Sequence, residues 1–291
     1  MHGKQYYFGT TLGTSYRIND NFSVYGGVRG VYATAHYYGY LKNIQINPGS
    51  GNNFVSAPAF FAQTAKALQP AVAVNPTLAP RLRQLSVLAA ATQDVTLNTD
   101  QSGFGFAPIV GAHFHSQYFD ASAKYEFRTR VAFKNESANS QSAENLTALA
   151  AYRDGAQVRS DIPALLTVGA QVRPIEGLRL NLGYHQYFDK QAKSGVKGAY
   201  RNELLKGGTK EYLFGAEYDL TKKWEISAGV QRTVYPNSDE YMNDLTFTTN
   251  STSLGLGVGY QVNEKVKVNA GYFKTFYDTY NKVSQNYNNV A

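Results

Sequence analysis

From Leu254 to Val262 the even positions are apolar or aromatic (Leu254, Leu256, Val258, Tyr260, Val262), and Gly255, Gly257, Gly259 and Gln261 stand between them. After Asn263, Glu264 and Lys265 the alternation resumes, with Val266, Val268, Ala270 and Tyr272 set against Lys267, Asn269, Gly271 and Phe273. A period of two places successive side chains on opposite faces of a strand. A three-residue polar break headed by Asn is a tight hairpin turn. Each strand runs about ten residues or more, enough to cross a bilayer when tilted.

Five such hairpins follow one another. Residues 6–18 turn at 19–21 into 22–40, residues 104–115 turn at 116–118 into 119–133, and residues 162–172 turn at 173–177 into 178–188. Residues 212–220 then turn at 221–223 into 224–234, and residues 251–262 turn at 263–265 into 266–277. Between the pairs lie long polar connections at 41–103, 134–161, 189–211 and 235–250. Short and long connections thus alternate, as short periplasmic turns and long extracellular loops do in an outer-membrane barrel. A soluble sandwich has no reason to gather its short turns at one end. The expected fold class is all-β: an antiparallel transmembrane β-barrel, contributing ten strands, with a helical extracellular excursion at 41–103.

Alternation also assigns the faces. Leu12, Val24, Tyr125, Phe127, Val168, Leu180, Leu182, Phe214, Trp224, Ile226, Leu256, Val258 and Val268 are expected on the lipid side. The lumen side receives Arg29, Lys124, Glu126, Arg128, Gln171, Asn181 and His185, and further along Glu217, Glu225, Gln231, Lys267 and Asn269. This inward set mixes both signs, so it either forms ion pairs or lines a wet lumen.

The longest connection has a different period. Residues 58–69 and 76–92 read as helices: Phe61, Ala65 and Leu68 share one face of the first, and Leu78, Leu82, Leu85 and Ala89 one face of the second. Phe60 sits beside the first stripe. Two outcomes are open. The helices pack on each other over the barrel mouth, or Phe60, Phe61, Leu68, Leu78, Leu82 and Leu85 line an apolar groove for a greasy ligand. Loops longer than about 15 residues are commonly functional.

Composition narrows the chemistry. Of 291 residues 23 are Tyr and 16 Phe, yet mean hydropathy is −0.38, which suits apolar surface dispersed by alternation. No run approaches the roughly 18 apolar residues of a membrane helix. Cysteine is absent, which removes thiol catalysis, disulfides and Cys-based zinc sites. The net charge of +7 is spread singly through strands and loops, unlike the clustered charge of a nucleic-acid binder. His113 and His115 share a strand face at a spacing that can chelate a metal, but no carboxylate or third histidine stands beside them in sequence to complete a site. Lining of the polar face is the simpler role. His36 and His185 have no nucleophile motif with them, so no enzyme is expected. The sequons at Asn135, Asn145 and Asn250 are incidental in a bacterial outer-membrane protein. No cofactor and no metal are expected.

Six stretches follow in this order: SYRINDNFSVYGGVRGVYA (15–33), SGFGFAPIVGAHF (102–114), KYEFRTRVAFKN (124–135), DIPALLTVGAQVRP (161–174), LNLGYHQYFDK (180–190) and VGYQVNEKVKVNAGYFKTF (258–276). Together they resemble the FadL/TodX-type outer-membrane transporters of long-chain fatty acids and aromatic hydrocarbons. The resemblance spans nearly the whole chain, through motifs made mostly of glycine, aromatics and alternation. It implies a barrel of roughly fourteen strands plugged by an N-terminal hatch. Substrate would pass from an external groove to an internal apolar pocket and leave laterally beside a kinked strand. It also implies a hydrophobic small-molecule ligand, outer-membrane lipid and lipopolysaccharide as surroundings, and a monomer at full length. The alternative is a general porin or a mainly structural barrel. Met1–Lys4 run at once into a strand-like segment with no apolar leader, and residues 278–291 are polar. The expectation is therefore an internal fragment that lacks hatch, first strands and last strand, with an odd number of strands missing at each end.

Overall fold

The alternating segments form strands, and side-chain acceptors in the turns close them into hairpins. The structure, a computed structural model, describes residues 2–49, 51–242 and 247–282. Residues 243–246 of the expected connection 235–250, and the tail 283–291, lie outside the described residues. Strand β1 (His2–Arg17) turns into β2 (Phe22–Leu41); a small hairpin of β3 (Gln45–Ile46) and β4 (Val55–Ser56) precedes α1 (Ala57–Val74) and α2 (Ala79–Ala91). Strands β5 (Val95–His115), β6 (Phe119–Glu126) and β7 (Ala132–Ser137) follow, then α3 (Gln141–Asn145), β8 (Gln157–Ser160), β9 (Leu165–Val172) and β10 (Leu178–Tyr187). The chain continues through β11 (Ser194–Gly195), β12 (Lys210–Asp219), β13 (Trp224–Val234), β14 (Ser251–Asn263) and β15 (Val266–Tyr277). Thirteen strands join one sheet, in which β1 pairs with β2 and β15 with β14.

The five expected short turns are all present, and four are held by the side chain at their head. The Asn19 Oδ1 accepts from the Asn21 and Phe22 amides at 3.0 and 2.8 Å, and the Asn263 Oδ1 from Lys265 and Val266 at 2.9 and 3.0 Å. Thr221 Oγ1 and Ser116 Oγ do the same for Trp224 and Phe119. Short polar side chains are suited to this because they mimic a backbone acceptor. The fifth turn uses Gly177, whose φ of +80° only glycine adopts freely.

β1 begins at His2 rather than at 6, the first helix runs on to Val74 rather than 69, and three further boundaries differ from the sequence expectation. β5 begins at Val95 rather than at 104, so the excursion loses its last nine residues to a strand. Its buried positions Val95, Leu97, Thr99 and Gln101 do alternate, but half of them are polar and hide the period. The expected strand 119–133 is broken between β6 and β7, and 162–172 starts three residues late, with only an isolated Thr129–Ile162 bridge across the gap. The connection at 134–161 is not featureless, since it holds α3 and β8.

The chain divides into two compact units. The first comprises Met1–Tyr7, Tyr32–Gly103 and Phe133–Val158. In it β7 pairs antiparallel with β5, Thr99 opposite Ser137 and Ser102 opposite Lys134. Its core is Ala33, Ala35, Leu97 and Phe133, and it buries Asn135. That side chain accepts from Gln101 at 2.8 Å and donates to the Ala151 and Arg153 carbonyls at 2.8 and 3.0 Å, so no polar atom of it is left unmatched.

The second unit comprises Phe8–Val31, Phe104–Ala132 and Arg159–Ala291. Here β5, β6, β9, β10, β12, β13, β14 and β15 pair antiparallel in that order. Directly opposed residues share a face, and the registers stack like with like. Leu182 lies opposite Phe214 and Phe214 opposite Val230, while Ile226 lies opposite Val258 and Val258 opposite Ala270. On the other face Asn181 opposes Gln171, Glu217 opposes Ser227, and Gly259 opposes Asn269. The apolar face is open: Leu256 is 67% exposed and Leu182 60%. Water does not tolerate an apolar surface of this extent, whereas hydrocarbon does. Aromatic residues bracket it, with Trp224 against Tyr260 at 4.5 Å at the turn end and Tyr184 against Tyr212 at 5.4 Å at the loop end. From Tyr260 to Thr252 on β14 is eight residues, about 27 Å of strand and about 20 Å once tilted, close to the apolar band of an outer-membrane barrel. Just beyond β15, Asp278 meets Arg232 at 2.9 and 2.5 Å, and these hydrogen bonds hold its carboxyl below the usual carboxylate range.

The break between β6 and β7 is patched group by group. The Phe127 amide donates to the Pro108 carbonyl at 3.0 Å, and Thr129 and Ile162 exchange two bonds at 3.1 and 3.0 Å. Asp161, whose side chain is fully buried, accepts from the Val131 and Lys193 amides, both at 3.2 Å, and from Arg159 Nη2 at 2.5 Å, with Arg128 Nε 3.8 Å away. The bulging backbone passes so close to β5 that a Cβ on Gly105 would stand 2.5 Å from the Arg130 carbonyl.

Two expectations follow for the full-length protein refolded into bilayers, both read from urea titration. Arg in place of Leu182, on the apolar face, should cost about 2–4 kcal/mol, and Arg in place of Asn181 well under half of that; equal losses would invert the assignment of faces. Asp161→Ala should cost about 3 kcal/mol, because it strands two arginines and two amides together, while Asp161→Asn should cost less.

Candidate functional site

The candidate residues fall into two groups, one in each unit. The first is the helical excursion of the first unit. Pro58 stands at the start of α1, where its missing amide is harmless, and Pro76 opens a single 3-10 turn, Pro76–Leu78, that leads into α2. Asn75 caps this turn by accepting from the Thr77 amide at 3.2 Å. The two helices pack on each other. Phe60, Phe61 and Leu68 on α1, and Leu78, Leu82 and Leu85 in the turn and α2, are all half-buried. Phe60 and Phe61 meet edge to face at 5.5 Å. The pattern of burial adds Thr64, Val72 and Leu88 to the same stripes. The helix–helix seam is therefore present, with its apolar side chains in part still open.

The second group is the polar face of the second unit. Its charges pair along the wall, within a strand, between neighbouring strands or across one intervening strand. Arg29 reaches Glu126 at 2.6 Å and Lys124 reaches the same carboxylate at 2.8 Å. Asn181 accepts from Gln171 at 2.8 Å, His185 meets Glu211 at 2.8 Å, and Gln231 donates to that carboxylate at 3.1 Å. Arg128 turns away from these groups to Asp161 and the Gln191 carbonyl. The densest cluster centres on Arg179, which holds Glu217 at 3.0 Å, Asp219 at 2.8 Å and Glu225 at 2.5 Å, while Lys267 binds Glu225 at 2.9 Å. Asn269 lies opposite Gly259 beside it. Arg179, Asp219 and Glu211 were missing from the sequence assignment, although their parity with Asn181, Glu217 and Gln231 marks them.

The His113–His115 pair gains the carboxylate that nearness in sequence did not suggest. Asp120, across the turn, stands 2.5 Å from His115 Nδ1 and 3.7 Å from His113 Nε2, and Arg173 also binds it. That guanidinium occupies the position a cation would need. Among the described residues no group of three or more His, Cys, Asp or Glu is placed to hold a metal, and no helix is long and apolar enough to cross a membrane.

An antiparallel sheet with one apolar, aromatic-bracketed face and one paired polar face is the wall of a transmembrane β-barrel of the outer membrane. Residues 6–290 match the family profile described as outer membrane protein transport protein (OMPP1/FadL/TodX), and the chain belongs to that family. Among solved structures it is similar to a Pseudomonas aeruginosa FadL homologue, at 16% identity and a TM-score of 0.61, covering 95% of this chain and 61% of that one. It is also similar to the Ralstonia pickettii toluene transporter TbuX, at 15% identity and a TM-score of 0.52, with 92% and 61% covered. The Pseudomonas putida toluene transporter TodX aligns at 14% identity and a TM-score of 0.52, with 93% and 64% covered. At these identities the likeness establishes the fold, and the chain spans about three fifths of the length of these relatives. No curated protein matches.

The Arg179 cluster carries a stability expectation. Arg179→Leu leaves three carboxylates crowded together and should cost about 2 kcal/mol, less than a fully buried pair because its partners are partly wetted. Lys267→Met should cost under about 1 kcal/mol. Urea titration of the refolded protein reads both, and an equal cost for the two would mean that Arg179 is not the hub.

Proposed function

We propose that this protein carries hydrophobic small molecules, such as long-chain fatty acids or aromatic hydrocarbons, across the outer membrane, and that the excursion at 41–103 is its extracellular receiving surface. The observation that carries this reading is the family match over residues 6–290. The seam of α1 and α2 supports the second part, because its apolar side chains are only half-buried between the two helices. Phe60, Phe61, Leu68, Leu78, Leu82 and Leu85 would collect the ligand, and the paired polar residues would line the route inward. No step of bond chemistry is involved.

The physical task is capture. A long-chain lipid is dilute in water and is retained by the lipopolysaccharide layer, so a lumen entrance alone would meet it rarely. Burying a methylene contributes about 0.8 kcal/mol, so six between the helices contribute about 5 kcal/mol before ordering costs. That is weak binding with easy release, as a relay requires.

In the full-length protein, Phe60→Asn, Phe61→Asn, Leu82→Asn and Leu85→Asn combined should lower uptake of a radiolabelled long-chain fatty acid or aromatic hydrocarbon at least tenfold. Heat-modifiable migration should be unchanged. Undiminished uptake, or a wild type that conducts sugars and ions freely, would replace this reading with that of a general porin.

A further inference from the structure

The polar face of β10 and β12–β15 is not evenly filled. A cavity of about 730 Å³ lies at the level of Gln231 and Ser253, and another of about 650 Å³ continues it toward Lys267. Both are bordered by Asn181, Gly215, Gly229, Gly255 and Phe273. The floor is low because glycine lies opposite glycine: Gly215 faces Gly229 and Gly229 faces Gly255. None of the three has a positive φ. A Cβ on Gly215 or Gly255 would come no nearer than 3.6 or 3.8 Å to any neighbour, so neither backbone nor crowding demands glycine there. Glycine inside a strand lowers stability and often marks close approach of a ligand.

Two large apolar side chains, Phe273 and Leu213, stand in the wall of this trough among the polar Asn181, Gln231 and Ser253. Phe273 stands opposite Gly255 and is 73% exposed. Leu213 stands opposite Gly183 and Gln231. Lipid does not cover either, since both lie on the face away from Leu182 and Leu256. Charge then selects the occupant. At the turn end the two cations, Arg179 and Lys267, are already held by three carboxylates, Glu217, Asp219 and Glu225. The cluster is thus net negative, and among the described residues neither of its cations is left free for an acid headgroup.

We propose that the trough binds an uncharged hydrocarbon, alkyl or aromatic, and excludes the carboxylate of equal length. This rests on the transport reading above and narrows its substrates. An apolar chain or ring lies on the bare peptide planes of the floor and against Phe273 and Leu213. A carboxylate finds only neutral side chains already engaged with one another, Asn181 with Gln171, Gln231 with Glu211 and Ser253 with Thr275, or must come beside three other carboxylates.

The test is photolabelling of the full-length protein in lipid bilayers at neutral pH, with a diazirine-bearing alkane and with the same chain ending in a carboxylate. The alkane should label Phe273 and Leu213, and the carboxylate should label them at least tenfold less. Both should label the lipid-facing Leu182 and Leu256, which serves as the internal standard. Gly215→Leu with Gly255→Leu should cut inner labelling at least fivefold and leave outer labelling and heat-modifiable migration unchanged. Gly255→Ala, which should fold at least as well as the wild type, should cut inner labelling about twofold. Absence of inner labelling by the alkane, equal inner labelling by the carboxylate, or inner labelling that survives the glycine substitutions would overturn the proposal. Labelling from the bilayer does not pass through α1 and α2. Lost uptake in the helix variants with inner labelling intact therefore supports both readings, whereas uptake intact with inner labelling absent removes only this one.

Discussion

Hydrocarbon offers a backbone amide no partner, so every N–H and C=O within the membrane must be satisfied by the chain itself. The second unit obeys this where it is easiest, in seven consecutive antiparallel pairings, and also where it is hardest. At the break between β6 and β7 the ladder is replaced by the Pro108 carbonyl, by the reciprocal Thr129–Ile162 pair and by the carboxylate of Asp161. Among the described residues, the buried side-chain polar atoms without a partner are Arg29 Nε and Thr129 Oγ1. At the break, the amides of Phe127, Thr129, Val131 and Ile162 thus keep a hydrogen-bond acceptor although the regular ladder stops.

Once pairing is obligatory, the two faces have no freedom. A slip of one residue would exchange every apolar side chain for a polar one, so register and facing are one constraint. The apolar side meets lipid and is bracketed by Trp224, Tyr260, Tyr184 and Tyr212. On the polar side charges are paired along the wall, as Arg179 is with three carboxylates and Glu126 with Arg29 and Lys124. Beside the Arg179 cluster lies the glycine floor, where no charged side chain stands.

What was legible in the sequence is what repeats. Alternation located the ten long strands, and Asn19, Thr221 and Asn263 marked turns whose hydrogen bonds they make. Parity placed Leu182, Ile226 and Val258 on one face and Asn181, Glu217 and Lys267 on the other. The start of β5 was hidden because Thr99 and Gln101 take buried positions that a period of hydrophobicity cannot register. The interruptions at 127–131 and 161–164 were hidden because they depend on Asp161 meeting Arg128 and Val131 from thirty or more residues away. The same distance concealed the Arg179 cluster. Its members come from four strands, β10, β12, β13 and β15, and the registers bring them together. In the excursion, stripes on two helices are legible, but a stripe alone does not distinguish a seam from a groove.

The central claim is that the two faces of this sheet meet lipid and water alternately along each strand. These 291 residues contain no cysteine, so single cysteines introduced in turn at positions 254 to 259 of the full-length protein, with any cysteine outside this stretch replaced by serine, report on it without background. In lipid bilayers a charged, membrane-impermeant maleimide should modify the odd positions at least tenfold faster than the even ones, and a lipid-borne quencher should show the opposite order. Uniform reactivity along the strand, or faster modification at 254, 256 and 258, would contradict the account.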